Sequence, residues 1–216
     1  TGSVYNQQEL EALAKVLRQH PNIFILSDEI YEYINFTSIP HTSFAAIEGM
    51  YERTITINGL SKAFAMTGWR IGYLAAPEWI AKACNKVQGQ ITSGTNAIAQ
   101  RAAIAALKAP KSEIQYMIDE FKKRRDLVLA LLSEVEGLKV NVPEGAFYVF
   151  PDVSSFFGKT LRGRTIGNAS DFSLYLLEEA MVATVTGEAF GDANCIRFSY
   201  AASEKDLREA IRRIKE

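Results

Sequence analysis

The sequence predicts an α/β fold in which helices cover a largely parallel sheet. The first observation is a set of three short apolar runs in the first half of the chain, at residues 23–26, 54–57 and 70–75. Continuous apolar runs of this length are typical of strands that are buried on both faces. The second observation is that stretches with helical periodicity lie between or after these runs, which indicates α/β layering.

Helical segments are predicted before and after the three strands. Asn6 can cap a helix over residues 8–19, because the apolar residues that follow it recur on one face. A second helical pattern covers residues 78–107 with a break at residues 89–94, and a long amphipathic helix is predicted over residues 112–135. These helices supply the covering layers that a parallel sheet requires.

The pattern changes after Gly137, where the strand candidates become short and scattered. We therefore predict two domains, an α/β domain over residues 1–110 and an α+β domain over residues 111–216. The segment 157–170 contains three glycines and is predicted to be a long mobile loop. The strands predicted in the second domain are residues 138–142, 146–150, 182–185 and 195–200, and its helices after the first are residues 171–180 and 203–214.

The composition excludes several classes of partner. The chain carries 24 Lys and Arg residues against 25 Asp and Glu residues, so its charge gives no reason to expect a nucleic acid or an anionic membrane as a partner. No apolar run approaches the ~20 residues that span a bilayer. Cys84 and Cys195 are too few for a disulfide scaffold and favour a cytoplasmic location. His20 and His41 are isolated, so no metal site is predicted.

Reactive side chains follow the first two predicted strands. Asp28 and Tyr31 come after the first strand, and Ser61 and Lys62 after the second. Ligands bind outside the carboxyl ends of parallel strands, where a partly desolvated lysine offers a neutral amine that can form a Schiff base with an aldehyde. The alternative is that Lys62 reaches solvent and Asp28 caps a helix, and spacing alone slightly favours this alternative.

Two arginines point to an anion. Arg70 follows Gly68 closely, and a guanidinium beside a glycine turn suits a phosphate or a carboxylate. Arg197 lies within the apolar strand at residues 195–198. Because an unpaired buried cation is costly, Arg197 must meet an anion. Either an internal carboxylate or the carboxylate of a substrate satisfies this requirement.

Fourteen consecutive residues carry a family resemblance. Residues 59–72 read Gly-Leu-Ser-Lys-Ala-Phe-Ala-Met-Thr-Gly-Trp-Arg-Ile-Gly, which resembles the cofactor-attachment signature of class I pyridoxal-phosphate aminotransferases. Residues 28–31, Asp-Glu-Ile-Tyr, are similar to the motif of this family that contacts the cofactor ring. Residues 143–148 and 197–201 resemble its small-domain strand and its carboxylate-binding strand. The resemblance covers nearly the whole chain. Residues 66–70, Met-Thr-Gly-Trp-Arg, are most similar to the corresponding residues of bacterial aspartate aminotransferases.

The resemblance implies a role for each residue near the cofactor. Lys62 would hold pyridoxal 5′-phosphate covalently and, once released by substrate, would move the proton of the substrate's α-carbon. Asp28 would pair with the pyridine nitrogen and keep it protonated, so that the ring acts as an electron sink. Tyr31 would donate a hydrogen bond to the phenolate oxygen of the ring.

The resemblance also implies how the phosphate and the substrate are bound. Arg70 would bind the phosphate together with Ser61, and Arg197 would bind the α-carboxylate of the substrate through two parallel hydrogen bonds. Many relatives carry a serine three positions before the lysine, where this chain has Gly59. Ser61 is therefore expected to be the hydroxyl that this segment offers to the phosphate.

The fold implied by the resemblance is the remainder of the large domain of a fold-type I enzyme, followed by its C-terminal small domain. The implied activity is a transferase reaction that moves an amino group between an L-amino acid, with aspartate favoured, and a 2-oxo acid. A cytoplasmic homodimer is the implied assembly. Two alternatives stay open, namely another pyridoxal-phosphate enzyme of this fold (a lyase, decarboxylase or synthase) and a non-catalytic fragment.

The family pattern usually reads Asn-Pro-Thr-Gly at the point where this chain begins with Thr1 and Gly2. The expectation is therefore a C-terminal portion without the N-terminal half, which in relatives supplies a glycine-rich phosphate turn and a ring stacked on the pyridine. Such a chain is expected to have open strand edges and poor activity alone. The sequence leaves the amino acid substrate and the oligomeric state of the chain undetermined.

Overall fold

A three-stranded sheet organises the first half of the chain in the computed structural model, which describes residues 1–216. Its strands are β1 (Ile25–Asp28), β2 (Thr54–Gly59) and β3 (Gly72–Ala75), in that order across the sheet. β1 and β2 are parallel, whereas β2 and β3 are antiparallel. The predicted α/β class is confirmed, and the sheet is mixed because the connection at residues 60–71 has no α-helix that could cross it.

Four α-helices lie between residues 7 and 132. Asn6 caps the first one with a full capping box, in which its side chain accepts from the Glu9 N–H at 3.0 Å and the Glu9 side chain accepts from the Asn6 N–H at 2.8 Å. The predicted break between the next two helices begins after residue 91, later than expected, and ends where Asn96 caps the following helix. The helices are α1 (Gln7–Arg18), α2 (Glu78–Ile91), α3 (Ala97–Lys108) and α4 (Ser112–Leu132).

A small apolar core fixes α1 to the chain that precedes β2. Leu10 and Ala14 of α1 pack with Phe44, Ile47 and Met50, and all five side chains are buried. Burial of each of the four larger side chains contributes about 1.5–3 kcal/mol. This cluster therefore holds the segment between β1 and β2, from which the residues near the candidate site project.

Much apolar surface of the first half remains exposed. Every residue of β3 is exposed, and α2 contains no buried residue. Ile91 at the end of α2 is 75% exposed, and Trp79 at its start is 64% exposed. Apolar patches of this extent mark surfaces that other protein segments cover. None of the helices combines the length and apolar character needed to cross a bilayer.

The second half contains an antiparallel sheet and two further helices. β8 lies between β4 and β7, and a separate hairpin forms within the segment that the sequence predicted to be a loop. The elements are β4 (Tyr148–Val149), β5 (Thr160–Leu161), β6 (Arg164–Thr165), α5 (Ala169–Glu179), β7 (Val185–Thr186), β8 (Ile196–Ser199) and α6 (Glu204–Lys215).

The strand predicted at residues 138–142 is reduced to a single bridge between Lys139 and Asp152. The Asn141 side chain accepts a hydrogen bond from the Phe150 N–H at 3.0 Å, so an amide oxygen takes the donor that a strand carbonyl would otherwise pair with. The core of this half is built around α5 and β8. It contains Val153, Ile166, Ala169, Phe172, Leu176, Ala180, Val182 and Ile196.

The contacts divide the chain into two compact units. The N-terminal unit consists of residues 4–118, and the C-terminal unit consists of residues 1–3 together with residues 119–216. The first residues join the C-terminal unit because the Gly2 carbonyl accepts hydrogen bonds from the N–H groups of Glu144 and Gly145, at 2.8 and 3.0 Å. The division falls within α4, whereas the sequence predicted a boundary after residue 110, and the domain limits stay a prediction.

Candidate active site

The candidate site lies at the edge of the sheet where β1 and β2 end. Because these strands are parallel, with Asp28 paired to Ile57, their carboxyl ends meet at one edge. Lys62 follows β2 by three residues, and β3 begins opposite the end of β2, with Gly72 paired to Gly59. The register therefore brings Asp28, Lys62 and the start of β3 to the same edge of the N-terminal unit.

Lys62 is half-buried and close to an aromatic ring. Its Nζ lies 5.8 Å from the centroid of the Tyr31 ring. Leu60 and Ala63, on either side, are buried, so the turn that carries Lys62 is anchored in the core. The Met66 N–H donates to the Leu60 carbonyl at 3.3 Å, and this bond closes the turn. The lysine therefore leaves a fixed backbone and is partly shielded from water, unlike a lysine on an exposed helix.

Asp28 ends β1 with an exposed side chain. Its Oδ1 accepts a hydrogen bond from the Ile30 N–H at 3.2 Å, which forms a local turn rather than a helix cap. The turn continues to Tyr31, whose carbonyl accepts from the Ile34 N–H at 2.9 Å. Asp28 and Tyr31 are thus carried by one short turn at the end of β1.

Ser61 and Arg70 lie on the connection between β2 and β3. Ser61 is half-buried and directly precedes Lys62. Arg70 is exposed, and its Nη1 donates to the Thr67 carbonyl at 2.8 Å. It lines a groove of about 820 Å³ together with Trp69, Thr92 and Asn96, among other residues. Arg70 therefore borders open space in which an anion could bind.

The backbone of Arg70 adopts a left-handed conformation, with φ of +52°. This conformation costs roughly 1–2 kcal/mol for a residue with a Cβ atom. We expect Arg70→Gly to be more stable than Arg70→Ala by roughly 1 kcal/mol, because only glycine relieves this cost. Both variants lose the guanidinium, so both should bind phosphate-bearing ligands about tenfold or more weakly. Chemical denaturation measures the stabilities and ligand titration measures the affinities. Equal stabilities of Arg70→Gly and Arg70→Ala would contradict the predicted relief of backbone strain.

Gly59 explains why a serine is absent three positions before Lys62. A Cβ atom on Gly59 would lie 3.0 Å from the Gly72 Cα, 3.1 Å from the Ile71 carbonyl oxygen and 3.2 Å from the Ile30 Cδ1. Two of these neighbours are backbone atoms of the paired strand region, which cannot move far. The close approach of β2 and β3 therefore favours a residue without a side chain at this position.

We expect Gly59→Ser to lower the free energy of unfolding by about 1–3 kcal/mol, because the added side chain overpacks the junction of β2 and β3. Gly68→Ser is the matched control, since no atom lies within 4 Å of a Cβ placed there. That control should change the stability by less than about 0.5 kcal/mol. Urea denaturation of both variants checks this, and a Gly59→Ser protein as stable as its control would contradict the packing argument.

Arg197 belongs to the C-terminal unit, in β8. Its guanidinium carbon lies 4.3 Å from the centroid of the Tyr148 ring and 3.9 Å from that of the Phe190 ring. Within this unit Arg197 forms no ion pair, so the internal carboxylate that was one of the two sequence alternatives is not found there. The pKa of the Thr1 α-amino group is lowered by burial and also by the charge of Arg197. Two aromatic faces therefore hold a cation that lacks a carboxylate partner.

The turn after β1 is anchored by a residue that the sequence did not indicate. Glu29 is only 8% exposed, and its carboxylate accepts hydrogen bonds from Ser27, Ser43, His41 and the Phe44 N–H. A signal was available, because side chains alternate along a strand. If the side chain of residue 28 faces outward, that of residue 29 faces the core, and a buried carboxylate must then find donors.

The comparisons with known proteins agree with this geometry. The family model for aminotransferase class I and II matches residues 1–214. The chain belongs to the class I and II aminotransferases. The predicted family resemblance is therefore confirmed, and so is the aminotransferase-like fold.

Several relatives of this aminotransferase chain are known. It is 49% identical over 219 residues to a bifunctional aspartate aminotransferase and glutamate/aspartate-prephenate aminotransferase of Petunia hybrida, covering 100% of this chain and 46% of the relative. It is 46% identical over 217 residues to an aspartate/prephenate aminotransferase of Cereibacter sphaeroides, covering 100% of this chain and 54% of that relative. The chain spans about half the length of the curated relatives it matches.

Solved structures of aminotransferases have the same fold as this chain. The aspartate aminotransferase of Rhizobium meliloti superimposes with a TM-score of 0.95 at 42% identity, covering 100% of this chain and 54% of that structure. The aromatic aminotransferase of Pyrococcus horikoshii gives a TM-score of 0.89 at 39% identity, covering 100% of this chain and 56% of that structure. The backbone of this aminotransferase chain therefore follows that of enzymes with different named substrates.

Proposed function

We propose that the protein carrying this chain transfers an amino group between an L-amino acid, with aspartate favoured, and a 2-oxo acid, with pyridoxal 5′-phosphate attached to Lys62. The observation that carries the proposal is the half-buried Lys62 at the carboxyl end of β2, with its Nζ 5.8 Å from the Tyr31 ring. Membership of the class I and II aminotransferases supports the reaction class.

The residues at this sheet edge fit pyridoxal phosphate chemically. The cofactor needs an amine for its aldehyde, a carboxylate for its pyridine nitrogen, a hydroxyl donor for its phenolate and a cation for its phosphate. The N-terminal unit offers these groups as Lys62, Asp28, Tyr31 and Arg70. When bound, the cofactor supplies a cationic ring that draws electrons from the bonds around the substrate's α-carbon.

Each proposed residue then has a physical task near the reacting atoms. The Lys62 amine would hold the cofactor through its aldehyde, with loss of water, and once the substrate's amine has replaced it would be free to accept the proton that leaves the substrate's α-carbon. The exposed Asp28 carboxylate holds a proton on the pyridine nitrogen by charge pairing. The Tyr31 hydroxyl donates to the phenolate oxygen, which orients the ring.

Arginines supply the anion-binding part of the proposal. Arg70, which lines the open groove, and Ser61, which precedes Lys62, bind the phosphate. Arg197 binds the α-carboxylate of the substrate, because it carries a charge that no carboxylate of its unit neutralises. The rings of Tyr148 and Phe190 lie close to the guanidinium and restrict its movement, and the planar fork of arginine matches a carboxylate through two parallel hydrogen bonds.

The proposed substrates follow from the names of the relatives. The Petunia hybrida and Cereibacter sphaeroides proteins are both named for aspartate and prephenate. We take aspartate as the amino donor, and prephenate is a second acceptor to be tested beside 2-oxoglutarate. The homodimer and the cytoplasmic location expected from the sequence stay predictions.

Residues outside this chain are also part of the proposal. The chain covers about half of each relative, and β3 and α2 expose apolar surface that a further segment would cover. We infer that this chain alone turns over substrate poorly. A steady-state assay with aspartate and 2-oxoglutarate on the isolated chain checks this, and turnover equal to that of a full-length aminotransferase would contradict it.

Reductive trapping tests the proposed attachment. The protein is incubated with pyridoxal phosphate, reduced with borohydride, digested and analysed by mass spectrometry. The expected result is a single stable adduct on the peptide that contains Lys62, and none on Lys82, which is exposed and paired with Glu78. An adduct spread over exposed lysines, or its absence from Lys62, would overturn the proposal.

A further inference from the structure

A buried carboxylate lies directly beside the proposed cofactor acid. Glu29 follows Asp28, and its side chain is 7% exposed. An ionised carboxylate at this depth is costly unless donors surround it. None of the tasks proposed above uses Glu29, so its burial requires an explanation of its own.

Four donors surround this carboxylate. Its Oε1 accepts from the Ser27 hydroxyl at 3.0 Å, from the Ser43 hydroxyl at 2.8 Å and from the Phe44 N–H at 3.1 Å. Its Oε2 lies 3.0 Å from the Nε2 of His41. Three of these donors come from the segment 41–44, so the carboxylate ties that segment to the end of β1.

The backbone of Glu29 is fixed as well. Its N–H donates to the Ile57 carbonyl of β2 at 2.8 Å, one step beyond the last paired residue of β1. Its carbonyl accepts from the Glu32 N–H at 3.0 Å, which closes the turn that carries Tyr31. Side chain and backbone together hold one residue in place, and the two proposed cofactor contacts lie on either side of it.

We propose that Glu29, bound by His41 and Ser43, is a positioning residue that fixes the turn carrying Asp28 and Tyr31 against the end of β2. This inference rests on the proposed function, since it concerns the placement of two residues proposed to contact the cofactor. A displacement of about 1 Å in such groups can cost about 10²-fold in rate. A buried carboxylate with four donors restricts such displacement more than an apolar side chain would.

Glu29 and its four donors form a cluster, and charges on the neighbouring elements determine how this cluster responds to pH. Burial raises the pKa of Glu29, but the hydrogen bonds from His41, Ser43, Ser27 and the Phe44 N–H outweigh it and hold the pKa below its usual value. The hydrogen bond to Glu29 raises the pKa of His41, burial opposes this, and the charge of Glu32 adds to the rise while that of Lys111 reduces it. The hydrogen bond between the two side chains therefore favours the charged form of each.

The sign of the pH effect follows from these shifts. Because the folded-state pKa of His41 is raised, the pair stabilises the protein fully below the ordinary histidine pKa of about 6.5, and this contribution is lost as pH rises through the raised value. Glu29 stays ionised throughout this range, because its pKa is lowered. The hydrogen bonding around Glu29 thus weakens as pH rises through the raised pKa of His41, without loss of the carboxylate charge.

The test uses Glu29→Gln and His41→Gln in the protein that carries this chain, with Glu48→Gln as the matched control. Glu48 is an exposed carboxylate that lies outside the cluster. NMR titration of His41, pyridoxal phosphate affinity and the pH midpoint of the absorbance of the bound cofactor are measured. We expect Glu29→Gln to lower the pH midpoint of the His41 titration, to weaken cofactor binding about tenfold or more and to shift the pH midpoint of the cofactor absorbance. His41→Gln should change the cofactor affinity and the absorbance midpoint in the same way but by less. The control should match the natural protein.

The outcomes separate this inference from the proposed function. If the natural protein forms the Lys62 adduct and both variants bind the cofactor with unchanged affinity and absorbance midpoint, the positioning role is overturned and the proposed function stands. If the natural protein forms no adduct, the proposed function fails, and the positioning role fails with it. If Glu29→Gln does not fold, the His41→Gln variant decides the question. The His41 ring is partly exposed, and after its replacement the Glu29 carboxylate still accepts hydrogen bonds from Ser27 and Ser43.

Discussion

Replacement of Lys62 by alanine is expected to abolish the trapped cofactor adduct and to lower turnover by about 10²–10⁴-fold. Alanine removes the amine that binds the cofactor's aldehyde and the group that carries the proton of the α-carbon. The fold should persist, because Lys62 is only half-buried and its flanking residues, Leu60 and Ala63, supply the core contacts of the turn. Turnover is measured with aspartate and 2-oxoglutarate at saturating cofactor in the protein that carries this chain.

Lys82→Ala is the matched control for this prediction. Lys82 is three-quarters exposed on α2 and pairs with Glu78 one helical turn away. Such surface pairs contribute at most about 1 kcal/mol, so this variant should retain both the adduct and the turnover. A Lys62→Ala protein that keeps natural turnover would place the reacting amine elsewhere in the molecule.

Replacement of Arg197 by lysine is expected to raise the KM for the amino acid substrate about ten- to a hundredfold. Lysine retains the positive charge but loses the planar fork that binds a carboxylate through two parallel hydrogen bonds, each worth about 1.5–3 kcal/mol when charged. The close contacts of Arg197 with the rings of Tyr148 and Phe190 also favour a planar cation. Steady-state kinetics over a range of aspartate concentrations measure the effect.

Arg208→Lys provides the control for Arg197. Arg208 lies on the exposed face of α6 and pairs with Glu204, so a lysine there should leave KM unchanged. Thermal unfolding of both variants shows whether the fold is retained. If Arg197→Lys binds aspartate as well as the natural protein does, the carboxylate of the substrate is bound by another group.

The sequence predicted the helices and the first two strands well, because their signals are local. The Asn6 cap and the apolar periodicity after it were sufficient to predict α1, and the apolar runs were sufficient to predict β1 and β2 to within a few residues. The direction of β3 could not be read in this way. It depends on whether the connection after β2 crosses the sheet, and a twelve-residue segment is long enough for either path.

The sequence was a poorer guide to two segments of the second half, around Asn141 and at residues 157–170. The strand predicted around Asn141 was too long because an amide side chain pairs with the Phe150 N–H. The predicted loop at residues 157–170 contains the β5–β6 hairpin, whose turn places Arg162 and Gly163 at positive φ. Two consecutive residues at positive φ are typical of a hairpin turn, which Asn-Gly or Asp-Gly usually signals, and here Arg162 occupies the first of the two positions.

The candidate site was predictable only in part. The order of residues was sufficient to place Asp28 and Lys62 at strand ends, and the register of β1 with β2 brings those ends to one edge. Glu29 was not predicted, because its importance depends on His41 and Ser43, which approach it only after the chain folds. The surroundings of Arg197 likewise depend on two rings, Tyr148 and Phe190, that are far apart in the sequence.

The bare apolar faces of β3 and α2 affect how the stability of this chain can be measured. Trp79 and Ile91 are mostly exposed, and any molecule that covers them binds the folded chain and not the unfolded one. By mass action, such binding adds RT ln(1 + [L]/Kd) to the free energy of unfolding, which is about 2.7 kcal/mol at a hundredfold excess over Kd. A melting temperature for this chain is therefore meaningful only with its protein concentration and the identity of its companions.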